Sequence, residues 1–318
     1  MPDISVIIVN WNSKDYVRQC LISLFKNCQN MSLEVIVVDG GSFDGCDTML
    51  ASEFPQVVFI QVKENVGFAR ANNVGFERAT GEYVWLLNPD TEVVGQAAAT
   101  LLQTLQSSKD IGMVGARLLN SDGSLQTNCV QSLPTPLNQA LDSEILRRLF
   151  PNLGLWGIVA LQSKAEPVEA EAIPGACMLL RREDFARVGC FDPRYFMYAE
   201  DMDLCFKIHR AGLKIFYVPK AEVLHHGGGS SRKQFSKFSV VLMREAVTSY
   251  LSSNFSIFHA WCYRFCMALS ALSRIAALLA LRVVARSEEN LFSLQKWIAI
   301  LKWCLGGERW AKAYSRQS

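Results

Sequence analysis

Residues 198–212 read YAEDMDLCFKIHRAG and set Glu200, Asp201 and Asp203 within four positions at the head of a helical pattern. Carboxylates are the groups a protein uses to take a proton from a hydroxyl, and one held away from water has its pKa raised toward the working range of a general base. At about 100° per residue, Glu200, Asp203, Lys207 and Arg210 fall on one side of such a helix, while Asp201 falls among Leu204, Cys205, Ile208 and Gly212. The phase predicts Glu200 and Asp203 as solvated residues near the helix dipole, Asp203 paired with Lys207, and Asp201 as the carboxylate on the apolar side. A helix that begins only after Asp201 would make the same residue an N-cap instead.

Three further groups raise the same kind of question. Asn88-Pro89-Asp90 follows an apolar run, where it reads either as turn chemistry or as a hard oxygen ligand for a divalent ion bridging phosphates. His225 and His226 precede GGGSSRK, whose glycines permit close backbone approach and whose Arg232 and Lys233 have the charge to meet a diphosphate. One of the two imidazoles has the donor type to complete a Mn²⁺ shell. His259, Cys262 and Cys266 share a helix side, but with no fourth ligand nearby they read as core.

The elements that must position these residues alternate. ISVIIVNWN, LEVIVVDGG, VVFIQV and YVWLLNPD are apolar, β-branched strands separated by the helical patterns DYVRQCLISLFKN, SFDGCDTML and FARANNVGFERATG. Strands apolar throughout and alternating with helices predict an α/β fold with a mostly parallel sheet covered on both faces. Ligands of such sheets bind beyond the carboxyl ends of the strands, where this chain carries Asn10 and Asn12, Asp39, and Asn88 with Asp90. Neither G-x-G-x-x-G after the first strand nor a G-x-x-x-x-G-K-[ST] loop occurs, which argues against a dinucleotide fold and a P-loop. Residues 121–172, with four prolines, read as an irregular insertion; KIFYVPKAEVLHH reads as a strand pair.

The bulk properties fit this picture. Of 318 residues, half are hydrophobic and 19% charged, which excludes a disordered chain and predicts a substantial core. The start, MPDISVIIVN, lacks a basic n-region and an A-x-A site, and the ten cysteines form no C-x-x-C, so a cytoplasmic location is expected. Residues 240–318 hold ten Lys or Arg against four Asp or Glu, a local charge of +6 in a chain whose net charge is +2. This helical, aromatic and basic extension, residues 239–318, is expected either to lie on an anionic membrane surface or to pack as a subdomain. A spanning helix is not expected, because Arg274 stands in the middle of the most apolar stretch, where an arginine costs at least ~2.5 kcal/mol at a bilayer centre.

Taken in order, SVIIVNWNSKDYVRQCLISL, VIVVDGGSFDGC, NVGFARANNVGFERATGEYVWLLNPDTEV and GACMLLRREDFARVGCFDPRYFMYAEDMDLCFKIHRAGLKIFYVPKAEVLHHGGGSS resemble glycosyltransferase family two, with the closest likeness to rhamnosyltransferases acting on polyprenyl-diphosphate-linked sugars. The resemblance implies a GT-A fold over residues 1–238, with residues 1–118 as the nucleotide-sugar-binding half and 119–238 as the acceptor and catalytic half. It implies a nucleotide-diphosphate sugar donor, a divalent cation (Mg²⁺ or Mn²⁺), a lipid-linked or polysaccharide acceptor, and inversion at the anomeric carbon. On the matching motifs Val9, Trp11, Asp39, Gly67, Asn73 and Asn88 meet the nucleotide sugar, Asp90 and His225 hold the metal, and Asp201 is the base. Gly228 and Ser230 complete the H-x-x-G-x-S pattern that selects His225 over His226. The absence of Q-x-x-R-W implies transfer of one sugar per acceptor. Rhamnose from dTDP-rhamnose is the expected donor, with a UDP-hexose or UDP-galactofuranose as the alternative. The joint presence of Asp90, Asp201 and His225 argues against a non-catalytic scaffold, since binding alone needs no base.

Overall fold

The structure, a computed structural model, describes residues 2–150, 152–227, 236–284 and 288–314. The strands among them are β1 (Ile4–Asn10), β2 (Leu33–Asp39), β3 (Val58–Gln61), β4 (Tyr83–Leu87), β5 (Thr91–Val93), β6 (Ile111–Leu119), β7 (Val168–Glu169), β8 (Cys177–Arg181) and β9 (Lys214–His225). The helices are α1 (Lys14–Asn27), α2 (Cys46–Glu53), α3 (Phe68–Phe76), α4 (Ala97–Gln106), α5 (Pro136–Leu141), α6 (Glu144–Leu149), α7 (Arg182–Arg187), α8 (Glu200–Arg210), α9 (Lys237–Asn254), α10 (Ile257–Val284), α11 (Glu288–Cys304) and α12 (Ala311–Tyr314).

Two compact units result. The first comprises Met1–Leu133, Asn152–Asp192 and Glu200–Gly229; the second comprises Pro134–Pro151, Pro193–Ala199 and Ser230–Ser318. The second unit thus also takes in two segments that lie before residue 238, the boundary expected from sequence.

In the first unit the strands form one sheet in the order β3-β2-β1-β4-β8-β6-β9-β5, with β7 beside β9. β3, β2, β1 and β4 run parallel, and every residue of β1 is buried, as its unbroken apolar sequence requires of a strand covered on both faces. The other half is mixed: β8 runs antiparallel between β4 and β6, while β6 and β9 pair in parallel. The expected strand pair at residues 214–225 is instead the single strand β9. Its register against β6 jumps between Ala116↔Val218 and Arg117↔Glu222, and the bulge accommodates Pro219, which has no N–H for the ladder.

The strand ends of the parallel half are tied together by one carboxylate. Asp39 accepts from Asn10 Nδ2 at 2.8 Å, from Gln61 Nε2 at 2.9 Å, from Ser42 Oγ at 2.7 Å, and from the N–H groups of Gly41 and Ser42 at 2.9 and 2.7 Å. Asn10, Asp39 and Gln61 are the last residues of β1, β2 and β3, so one buried side chain fixes three strand ends. The turn that delivers the Gly41 N–H has a left-handed φ of +86° at that glycine.

In the second unit, α9 and α11 pack on α10 around buried Tyr263 and Trp303. Glu245, buried on α9, accepts from Trp303 Nε1 at 2.8 Å and faces Arg264 at 3.5 Å; the Arg264 guanidinium lies 4.3 Å from the Trp303 ring centroid. Arg274 donates to the Asp142 carbonyl at 2.7 Å and stacks 4.2 Å from the Trp297 ring centroid. Arg264 and Arg274 thus turn inward, and a row of exposed apolar side chains at helical spacing lies outside: Phe258 (70%), Trp261 (67%), Phe265 (65%), Leu269 (53%), Leu272 (52%) and Leu279 (52%). His259 is exposed and Cys262 and Cys266 are half-buried, so these three are not the core residues expected.

A methyl group on Gly41 would stand 2.5 Å from the Glu64 carbonyl carbon, in addition to the left-handed φ. Gly41→Ala is therefore expected to destabilise the first unit by about 2 to 5 kcal/mol, the combined scale of a left-handed non-glycine residue and an overpacked site. Urea unfolding followed at a first-unit probe checks this; an unchanged midpoint would mean that the turn is not under this constraint.

Candidate active site

The site grows from the polar ends of the strands. Beyond β1, Val9 is buried and Trp11 is half exposed, followed by Asn12 at φ +52°. Burial alone would raise the Asp39 carboxyl, but the hydrogen bonds from Ser42, Gln61 and Asn10 outweigh it and hold the group below its ordinary range. Asn10 Nδ2 also meets the Asp44 carboxylate at 3.1 Å, and the Lys14 N–H donates to the same side chain at 2.9 Å, which closes the loop beneath Trp11.

Gly67 caps α3 at φ +83°, a conformation suited to glycine, and its N–H donates to Asn65 Oδ1 at 3.0 Å. Asn73 was expected at the donor, but both ends of its amide are engaged elsewhere. Its Nδ2 donates to the Phe191 carbonyl at 2.8 Å and its Oδ1 accepts the Phe191 N–H at 3.1 Å, so it ties α3 to the segment after α7.

Asp90 and His225 do come together. The antiparallel pairing Thr91↔His225, Glu92↔Leu224 and Val93↔Val223 lays β5 along the end of β9, and the His226 N–H donates to the Asp90 carbonyl at 2.8 Å. His225 Nε2 then lies 3.5 Å from Asp90 Oδ1, both side chains mostly buried. His226 has no nitrogen to spare: Nδ1 meets Ser121 Oγ at 2.8 Å and Nε2 meets Glu92 Oε1 at 2.8 Å. Asn88, at the end of β4, has a buried Oδ1 without a hydrogen-bond partner. One carboxylate, one imidazole and an unsatisfied amide oxygen are a donor set suited to Mg²⁺ or Mn²⁺ with the remaining positions filled by phosphate oxygens and water. Among the described residues no group of three or more His, Cys, Asp or Glu side chains converges as a closed metal site. Gly228, Ser230, Arg232 and Lys233 lie outside the described residues.

Asp201 is linked to this strand end through two consecutive residues that sequence reasoning did not single out. The Asn88 N–H donates to the Ala176 carbonyl at 3.0 Å, and the neighbouring Gly175 N–H donates to Asp201 Oδ2 at 3.2 Å. α8 begins at Glu200, entered through Tyr198 and Ala199 at φ +72° and +64°, so Asp201 lies inside the first turn and the N-cap reading falls. Gln126, in the segment read as irregular, was also missed. It is buried and accepts from or donates to three groups at the metal-ligand end of β9, including His225 Nδ1 at 2.9 Å.

The comparisons with known proteins point the same way. The model of glycosyl transferase family 2 matches residues 5–189, and that of glycosyl transferase family group 2 matches residues 152–305. An N-acetylglucosaminyl-diphospho-decaprenol L-rhamnosyltransferase of Mycobacterium tuberculosis is 29% identical over 239 residues, covering 71% of this chain and 76% of that protein. Rhamnosyltransferase WbbL of Escherichia coli is 27% identical over 246 residues, covering 73% and 86%. The mannosyltransferase PcManGT of Pyrobaculum calidifontis, solved with GDP-Man and Mn²⁺, superposes with a TM-score of 0.61 at 18% identity, covering 96% of this chain and 87% of that one. GalNAc-T7, solved with UDP, GalNAc and Mn²⁺, gives 0.55 at 18% identity over 80% of this chain and 50% of that one. The two solved structures establish the GT-A fold.

The acidic head of α8 differs from its expected arrangement. Glu200 and Asp203 are buried, at 7% and 1% exposure, and Asp201 is the more accessible of the three. Helical phase identifies sides of a helix but not what packs on them, and here the supposedly solvated side is covered. Asp203 makes the expected pair with Lys207 at 3.3 Å, inside the protein, where Lys207 Nζ also donates to the Cys190 carbonyl at 2.7 Å. Burial and then the Asp201 charge push the Glu200 carboxyl well above the ordinary range, and burial raises Asp201 against its hydrogen bonds from Gly175 and Met202. A carboxyl raised in the folded state favours folding while protonated, and this contribution is lost as pH rises from about 4.3 through the folded-state value. Glu200→Gln is therefore expected to unfold at a temperature that rises relative to wild type as pH increases through that window; a pH-independent difference would show that Glu200 does not titrate there.

Proposed function

The chain belongs to glycosyl transferase family 2, and we propose that it is an inverting, metal-dependent, non-processive glycosyltransferase that moves rhamnose from dTDP-rhamnose to a lipid-linked acceptor in cell-surface glycan synthesis. The observation that carries the reaction is the Gly175-Ala176 bridge, which hydrogen-bonds Asp201 at one residue and Asn88 at the next and so sets a basic carboxylate beside the strand end bearing Asp90. The choice of sugar and acceptor is supported by the rhamnosyltransferases at 29% and 27% identity, the first of which is named for a decaprenol-diphosphate acceptor.

In this reading residues 1–118 hold the nucleotide sugar and residues 119–238 supply the base and the acceptor side. Trp11 offers its exposed ring to the base, Asp39 and Val9 shape the pocket beneath it, and Gly67 lets the donor approach the start of α3. Asp90 and His225 would hold the divalent cation, with Asn88 next to it. The bound ion supplies positive charge to the departing nucleoside diphosphate. Asp201 takes the proton of the acceptor hydroxyl as that oxygen attacks the anomeric carbon from the face opposite the diphosphate, so one displacement inverts the centre.

The uncharged outer stripe of α10 extends the proposal to location. Ile257–Leu281 is long and apolar enough to cross a membrane and only 11% buried, yet Arg264 and Arg274 are held to protein partners on its inner side. An amphipathic helix with aromatic side chains outside and exposed Lys302, Arg309 and Lys312 nearby in the chain suits an anionic cytoplasmic membrane surface better than a span.

Asp201→Asn is expected to lower kcat by about 10²- to 10⁴-fold while leaving donor affinity within a few-fold of wild type, and Asp90→Ala to weaken Mn²⁺-dependent donor binding. With Asp201 raised, kcat/KM of the wild type should fall on the acid side at a pH above the ordinary aspartate value of about 3.9. Near wild-type turnover in Asp201→Asn would remove the base. A panel of nucleotide sugars scored by thermal stabilisation ranks dTDP-rhamnose against UDP-hexoses and UDP-galactofuranose.

Trp261→Ser/Phe265→Ser tests the surface. Burial of each large side chain is worth about 1.5 to 3 kcal/mol, so the pair should lower binding to phosphatidylglycerol vesicles by at least about tenfold with donor hydrolysis unchanged. Equal sedimentation of variant and wild type with vesicles would overturn the membrane assignment.

A further inference from the structure

We propose that Gln126 is a positioning residue that fixes the tautomer of His225, so that its Nε2 lone pair faces Asp90 and is ready for a divalent cation. The inference rests on the metal site proposed above and adds a residue that no sequence motif marks.

The orientation of the Gln126 amide is determined by its neighbours. One side meets the His225 carbonyl oxygen at 2.6 Å and Asn120 Oδ1 at 3.0 Å. A carbonyl only accepts, and Asn120 is itself oriented, because Ser124 Oγ donates its proton to Asp122 Oδ1 and so accepts from Asn120 Nδ2 at 2.9 Å. Both contacts therefore require the amide nitrogen, and Gln126 Oε1 is left facing His225 Nδ1 at 2.9 Å. The backbone is held as well, since the Gln126 N–H donates to the Leu118 carbonyl at 2.9 Å at the end of β6. The side chain is 8% exposed, so water does not offer an alternative partner of equal standing.

An amide oxygen cannot donate, so the proton of that contact belongs to His225 Nδ1. A neutral imidazole carries a single N–H, and Nε2 is then a bare acceptor. It lies 3.5 Å from Asp90 Oδ1, too long for a hydrogen bond, with a lone pair opposite a carboxylate oxygen. Gln126 thus prevents the His–Asp hydrogen bond that the opposite tautomer would form, a bond that would close the site to metal. His225, Gln126 and Asn120 also line a cavity of about 320 Å³, with Leu125, Thr127, Asn128 and Gly227, which leaves room for ligands on this side. Outer hydrogen-bond partners of this kind raise the basicity of a ligating imidazole, and their loss costs about 10- to 100-fold in metal affinity.

The test has two readouts that do not involve turnover. In the metal-free wild type labelled with ¹⁵N-histidine, long-range ¹H–¹⁵N spectra at about pH 8.5, where imidazoles are neutral, should show His225 protonated at Nδ1. Protonation at Nε2 overturns the proposal without any variant. Mn²⁺ binding to the free protein, followed by electron paramagnetic resonance, should weaken about 10- to 100-fold in Gln126→Leu, and the ¹⁵N spectrum of that metal-free variant should show His225 shifted toward protonation at Nε2. A merely structural role would weaken Mn²⁺ binding and leave the tautomer of His225 unchanged. If wild type binds no Mn²⁺, the metal site falls together with this inference; if wild type and Gln126→Leu bind equally, only the role of Gln126 falls.

Discussion

The site depends on a short antiparallel pairing, β5 against the last three residues of β9. Three residue pairs are too few to hold a ladder on their own, and the first βα unit supplies the rest. On α1, Ser23 Oγ accepts the Val93 N–H at 2.9 Å and Asn27 Nδ2 donates to the Val93 carbonyl at 2.9 Å, so the open edge of β5 is satisfied by a helix that begins at residue 14. Thr91 Oγ1 closes the other end onto the Asn88 carbonyl at 2.7 Å. The position of Asp90 relative to His225 is therefore set by contacts with α1 as much as by the strand from which Asp90 emerges.

Around that fixed point the fold sorts its carboxylates by environment. Asp39 receives five donors and is held as an anion that joins three strand ends. Glu200 has a buried oxygen with no hydrogen-bond partner, and burial and then the Asp201 charge raise its pKa well above the ordinary range. Asp201 lies between these extremes, with hydrogen bonds from Gly175 and Met202 that favour the anion against a burial that opposes it. A base needs this intermediate state: fully satisfied, it would not accept a proton, and fully desolvated, it would not release one.

Much of this was legible in the sequence, for identifiable reasons. The parallel half of the sheet followed from strands apolar on both faces, and the Asp203–Lys207 pair from i,i+4 spacing. The motif selects His225 over His226 as the expected ligand, and His226 has both ring nitrogens engaged by Ser121 and Glu92. What could not be read depended on distant packing. Helical phase placed Glu200 and Asp203 on one side of α8, but it does not encode what packs there, such as the Cys190 carbonyl that accepts from Lys207. Residues 214–226 read as a strand pair, and only the pairing with β6 shows a single strand whose register shifts at Pro219. Gln126 acts through its contacts with residues near 120 and 225, a separation that no local pattern encodes.

The same dependence on packing bears on α10. An arginine in the middle of a mostly apolar stretch argues against a spanning helix as long as its position on the helix is unknown, since an unsatisfied charge in lipid is costly. Arg274 is bound to the Asp142 carbonyl and the Trp297 ring, and Arg264 to Glu245 and Trp303, so these two charges are satisfied within the unit. The outer face then carries the apolar side chains that a soluble helix would bury, with aromatic residues toward its amino end and leucines toward its carboxyl end. An exposed apolar face of this extent is the observation on which the proposed membrane-surface location rests.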